Sequence, residues 1–213
     1  MIKKSVLMII VVLAFVGNSL AANLETIKLP APSLTGGKSL MQSLQTRKSS
    51  REFSTRKLPR EVLSTLLWAA WGINRPENGR RTAPSAVNWQ EIDVYVAMAE
   101  GLYIYNAKEN ILKLVIGQDL RALTGKQSFV KDAPVNLIYV ADYSRMGGGY
   151  VEERVFYSAA DAAFIAENVY LYCASEGLAT VVRGLVPRDD LAKAMHLRDN
   201  QKIILAQTVG YPK

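Results

Sequence analysis

The chain has 213 residues, 49% of them hydrophobic and 21% charged, with a formal net charge of +7. That is enough apolar chain for one domain with its own core, and its lysines and arginines are spread along the chain rather than clustered with aromatics, which argues against a nucleic-acid surface. The single cysteine, Cys173, excludes an intramolecular disulfide, so the fold stands on packing alone.

The first element is a targeting segment rather than fold. Lys3 and Lys4 precede an uncharged apolar run, Val6 to Val16, and Ser19 and Ala21 are small where a signal peptidase cuts. This is the layout of a cleavable signal over residues 1–21, and the run is short for a bilayer span. An exported, periplasmic protein is expected; an uncleaved N-terminal anchor is the competing reading. Cleavage leaves 192 residues and removes two lysines, lowering the charge to +5.

Residues 22–38 hold two prolines and two adjacent glycines without apolar period, which reads as an extended surface arm. Its "TGGKS" is close to a phosphate loop, but that pattern wants a glycine where Pro32 stands, so it is rejected. From Ser39, a plausible cap, Leu40, Met41 and Leu44 recur at helical spacing up to Arg47. A second helix starts at Leu58-Pro59, carries Val62, Leu63, Leu66, Leu67 and Ala70 on one face, and can end at Gly72 in a left-handed turn.

A polar, arginine-rich loop, Asn74 to Arg81, leads to "EIDVYVAM", "GLYIYN" and "ENILKLVI", three short strands in meander order. "DLRALTG" reads as a short helix and "PVNLIYVAD" as a central strand buried on both faces. After a loop at Gly147 to Gly149 comes the longest helix, Val151 to Glu176, closed by Gly177. It is apolar nearly all round, which predicts burial on every side, in a core or at a subunit interface. Cys173 on it reads as a small buried hydrophobe. A strand ("LATVVRG"), a short helix ("PRDDLAKAMH") and a final strand ("KIILAQTVGY") complete one α+β domain over 39–213, one sheet with helices packed on it.

Three stretches could carry chemistry. In "RKSSREFS", Arg47, Ser49 and Arg51 alternate, so in an extended segment they point the same way and could converge on an anion; a solvated charged turn is the bland alternative. Pro84, Ser85, Asn88 and Gln90 precede a strand, where amide and hydroxyl groups can read a planar heterocycle, or simply make a turn. Arg183-Gly184 ends a strand, where glycine lets backbone approach a ligand. The lone His196 reads as an ordinary surface or partly buried histidine.

In this order and spacing the stretches resemble the FMN-dependent nitroreductase superfamily. "R-x-S-x-R", "APSA-x-N-x-Q", the helix "DAAFIAENVYLYCASEGL" and "TVVRG" match its pattern, and "LLWAAWGINRP", "RRTAPSA" and "GLYIYN" are most similar to the branch of SagB-type dehydrogenases. The resemblance implies a central, mostly antiparallel sheet flanked by helices, in an intertwined homodimer with FMN at two interface sites. It also implies a phosphate held by Arg47, Ser49 and Arg51 with Lys48 and Ser50 nearby, the loop Pro84, Ser85, Asn88 and Gln90 against flavin and ribityl chain, and Arg183 and Gly184 at the flavin ring. Tyr150 and Tyr157 could line the open face of the flavin, with core packing as the default.

An FMN-dependent oxidoreductase is expected, with no metal, no side chain required as general acid or base, and an electron donor other than a nicotinamide given the expected export. A non-catalytic flavin- or nucleotide-binding dimer is the alternative. Two departures stand out: beyond the last strand only Lys213 is basic, where many members of the family carry further basic residues at the phosphate, and Glu91 stands where the family usually has proline.

Overall fold

The computed structural model describes residues 26–213, so the expected signal over 1–21 lies outside the described residues, as does the start of the arm. The rest of the arm joins the sheet: Ile27–Lys28 (β1) pairs antiparallel with Leu112 and Ile111. Gly36 and Gly37, at φ 92° and 74°, then turn Lys38 onto the end of the long helix, where its Nζ donates to Ala174 O at 3.1 Å. The "TGGKS" stretch is a packed turn.

Leu40–Thr46 (α1) starts with a reciprocal cap. Ser39 Oγ accepts from the Gln42 N–H, and Gln42 Oε1 accepts from the Ser39 N–H. Arg60–Trp71 (α2) buries Leu63, Leu66, Leu67 and Ala70 along one face. Its end differs from expectation. Gly72 is extended (φ −70°, ψ 162°), not left-handed, and its glycine serves closeness instead: a Cβ there would come within 2.6 Å of Trp68 O. The chain runs straight into Ile73–Arg75 (β2), which pairs with Arg80–Arg81 (β3). The arginine-rich stretch expected to be a loop is thus a short separate ribbon.

Ile92–Met98 (β4), Gly101–Asn106 (β5) and Ile111–Ile116 (β6) form the expected meander. Two single turns of tight helix, Arg121–Thr124 and Ser128–Lys131, precede Val135–Asp142 (β7), whose eight residues are all buried. Val151–Glu176 (α3), Ala179–Arg183 (β8), Arg188–Ala194 (α4) and Gln201–Gly210 (β9) follow. The main sheet runs β1-β6-β5-β4-β7-β9-β8 with every pairing antiparallel.

Strand alternation divides the core in two. Ile92, Val94, Val96, Leu137, Tyr139 and Ala141 lie under α2 and α3. Tyr95, Ala97, Ile138 and Val140 face Val186, Leu191 and Met195 on the other side. The long helix has the expected bounds, and Gly177 closes it at φ 70°. Within one chain, however, it is buried on one face only. Ala162, Ile165, Ala166, Val169 and Cys173 meet the sheet, while Val151, Val155, Phe156 and Phe164 stay 50–67% exposed. Leu40, Met41 and Leu44 of α1, which packs on α3, are also exposed.

Candidate functional site

The Arg47–Arg51 segment leaves α1 extended and is tied to α3 and β8 through Tyr170. Arg47 Cζ lies 5.3 Å from the Tyr170 ring centroid, and Ser49 Oγ is 2.8 Å from Tyr170 Oη. The Val182 N–H donates to the same phenol oxygen at 2.9 Å, and the Ser50 N–H donates to Thr180 O at 2.9 Å. With its oxygen accepting from Val182, the phenol can donate to Ser49 and leave the serine hydroxyl hydrogen for another acceptor. Lys48 and Ser50 line a cleft of about 450 Å³ together with Lys38, Tyr170 and Thr180. Arg47, Lys48 and Arg51 make no ion pair among the described residues. Three cations on five residues, none paired with a carboxylate among the described residues, have the chemistry to hold an anion.

The second stretch is a strained loop. Val87, Asn88 and Gln90 take φ of 50°, 60° and 49°, which is costly for any residue but glycine and most of all for the β-branched valine. Four bonds hold it. The Gln90 N–H donates to Ser85 Oγ at 3.0 Å, the Ala86 N–H to Asp161 Oδ2 at 2.9 Å, and Gln90 Nε2 to Asn88 Oδ1 at 3.1 Å. Arg81 Nε donates to Gln90 Oε1 at 2.7 Å. Pro84, Ser85, Asn88 and Gln90 line a cleft of about 410 Å³ with Arg75, Arg80 and Arg81. At its edge Trp89 meets Tyr157 edge-on at 5.8 Å, whereas Tyr150 is 78% exposed.

Behind the loop lies a buried acid pair. Glu91 is fully buried and neither carboxyl oxygen meets a donor, which favours its protonated form beside the Asp161 carboxyl. Burial raises Glu91 to about 7, with the charge of Asp161 adding to the shift, and burial raises Asp161 as well. Arg145 pulls Glu91 the other way; its Nη2 donates to Glu91 O at 2.6 Å and pairs with Asp93 at 2.8 Å.

The third stretch turns partly inward. Arg183 is only 5% exposed and its guanidinium turns inward, donating to Thr124 O at 2.6 Å and Asn136 Oδ1 at 3.0 Å. It cannot stand beside a ring as a surface cation; its charge acts from inside the fold. Burial with no carboxylate partner lowers it to about 10, and its Nε is left without an acceptor. Gly184 is exposed, and a Cβ there would meet nothing within 4 Å. The chain itself gives no reason for glycine at 184; a ligand lying against it would.

Within one chain the first two stretches line different clefts. Their anchors on α3, Tyr170 and Asp161, are nine residues apart, about 13–14 Å along the helix. Tyr170 and Asp161 carry no local sequence signal, since each partner is far along the chain. His196 is exposed and closes the turn after α4 at φ 53°. Cys173 is fully buried, and burial pushes its thiol far up, so it is inert.

Comparison with known proteins agrees with this geometry. The family model described as "Nitroreductase family" matches residues 44–211. A protein of Methanocaldococcus jannaschii described as a candidate nitroreductase is 29% identical over 191 residues, covering 85% of this chain and 96% of its own. The crystal structure of a candidate nitroreductase from Ralstonia eutropha is 48% identical, with a TM-score of 0.85, over 89% of this chain and 90% of that one. A candidate nitroreductase from Desulfovibrio desulfuricans, solved in complex with FMN, shares the fold at 21% identity and a TM-score of 0.60, over 82% of this chain and 87% of that one.

Proposed function

We propose that this chain, which belongs to the nitroreductase family, is an exported FMN-dependent oxidoreductase acting on a small organic substrate. The observation that carries the reading is the segment Arg47–Arg51, with three cations that lack carboxylate partners and a serine hydroxyl oriented by Tyr170. Two further features fit the same cofactor: the open face at Gly184, and the buried Arg183 charge with an orphaned Nε beneath it.

When bound, FMN supplies two-electron transfer between a donor and an acceptor. The chain supplies the rest. Arg47, Ser49 and Arg51 hold the phosphate, with Lys48 and Ser50 beside it. Gly184 lets β8 backbone approach the ring. Arg183, with no internal counter-charge, favours negative charge gathering near the end of β8. The strained loop Ser85–Gln90 presents its amides at fixed angles, braced by Asp161.

Lys48 and Ser50 line one cleft and the loop another in one chain, and α1 and α3 leave an exposed apolar face. Both features favour a homodimer, in which the loop of one protomer could complete the site of its partner. A likeness to SagB-type dehydrogenases and an electron donor other than a nicotinamide belong to this reading too, the latter resting on export through the segment over 1–21.

Purification of residues 22–213 after FMN loading tests the reading. A yellow protein that bleaches with dithionite and recovers with a quinone or nitroaromatic acceptor supports it. A yellow protein that passes no electrons on is a flavin carrier, and one that takes no FMN overturns the reading.

A further inference from the structure

The β2–β3 ribbon raises a separate question. Arg75, Arg80 and Arg81 crowd one cleft of about 410 Å³, and no carboxylate lines it. None of the three makes an ion pair among the described residues, and Glu77 on the intervening turn makes none either. Three guanidiniums around one opening, with no carboxylate among its lining residues, are the chemistry that receives an anion.

The cleft is built rather than incidental. Arg81 is fixed from three sides: Nε to Gln90 Oε1 at 2.7 Å, Nη1 to Trp71 O at 2.8 Å, and its guanidinium 4.7 Å from the Trp71 ring centroid. Burial lowers its pKa, with the nearby Arg145 charge adding to that and Asp93 opposing it. Arg75 Nη2 donates to Arg81 O at 2.9 Å, which holds Arg75 over the same opening. The Arg80 side chain has no hydrogen-bond partner among the described residues, so its donors point to whatever enters.

We propose that the ribbon forms an anion subsite at the mouth of the reaction site, so that the organic substrate or electron donor carries a carboxylate, sulfonate or phosphate seated between Arg75, Arg80 and Arg81. This rests on the flavin reading above, because the other wall of the cleft is the loop Ser85–Gln90. The anion is distinct from the phosphate assigned to Arg47, Ser49 and Arg51, none of which lines this cleft. Guanidiniums select an oxyanion with paired hydrogen bonds and discriminate against a neutral isostere.

The test titrates benzoate and its neutral isostere benzamide into FMN-loaded protein, following flavin absorbance and binding heat. Benzoate is expected to bind at least about tenfold tighter, to be displaced by inorganic phosphate, and to weaken as salt rises. Arg80→Ala, whose side chain has no partner to lose, and Arg75→Ala together should abolish the preference while flavin content stays at the wild-type level. Equal binding of the two probes, or no saturable benzoate binding, overturns the inference. So does loss of flavin from the variants, since the cleft would then hold the cofactor's own phosphate. A protein that takes up no FMN at all fails the parent reading instead, which separates the two failures.

Discussion

Glu91 and Asp161, seventy residues apart, are neighbouring carboxyls both closed to solvent, and Asp161 at the same time accepts the Ala86 N–H at 2.9 Å. One side of this pair is the first turn into β4, the other is the middle of α3. The strained loop is therefore fixed by an acid whose own partner must stay protonated.

Stability should fall as pH rises through this pair. Glu91 is raised from 4.5 to about 7 in the fold, so between those values the unfolded chain has already lost the proton that the fold keeps. The unfolded state binds fewer protons there, and linkage then gives a stability that decreases with pH, by at most about 3 kcal/mol. The raised Asp161 acts with the same sign. Urea unfolding at pH 5 and pH 8 should show a smaller drop for Glu91→Gln than for the wild type. An equal drop would contradict the assignment.

Asp161→Ala should loosen the loop rather than unfold the domain. The change removes the acceptor of the Ala86 N–H and the carboxyl neighbour of Glu91, at a cost of about 1–3 kcal/mol. Freed from its brace, a loop with three left-handed non-glycine residues should relax. Hydrogen exchange should quicken at residues 86–90, and FMN affinity should fall, whereas Asp161→Asn, which keeps an acceptor, should do less. Unchanged exchange in Asp161→Ala would refute the bracing role.

Arg183→Met replaces a buried cation that has no carboxylate partner with an apolar chain of similar reach. Thr124 O loses its donor and Asn136 Oδ1 keeps Thr208 Oγ1, so stability should drop by about 1–3 kcal/mol. The loss of positive charge should also lower the flavin midpoint potential, by about 30 mV or more, the equivalent of about 1.4 kcal/mol in a two-electron couple. A potential that does not move would reduce Arg183 to a packing role.

The exposed face of α1 and α3 should be a contact between two copies. Phe156→Asp, a residue 67% exposed in one chain, should shift the protein toward monomer in sedimentation experiments and reduce FMN retention together with it. Wild type sedimenting as a monomer with full flavin content would contradict the composite site.

Much of the fold was legible because its signals are local. The Ser39–Gln42 cap, the period of α2, the apolar run of β7 and Gly177 after α3 each state an element within a few residues. What escaped was set by distance or by backbone detail. Gly72 is a glycine either way, and only the nearness of Trp68 shows that it ends α2 extended. Two- and three-residue strands of arginine and asparagine have no period to read, so the β2–β3 ribbon was not visible. The inward turn of Arg183 depends on acceptors 59 and 47 residues away, and the Glu91–Asp161 pair and Tyr170 likewise join segments that no local pattern connects. The site was legible as three stretches; how they are braced was not.

The most direct measurement compares FMN with riboflavin binding to the apoprotein, by fluorescence quenching, in wild type and in Arg47→Ala with Arg51→Ala. A phosphate gripped by the 47–51 segment predicts that wild type prefers FMN by at least about a hundredfold, nearly 3 kcal/mol, and that the double variant binds both ligands alike. Equal affinity of wild type for the two flavins would contradict it.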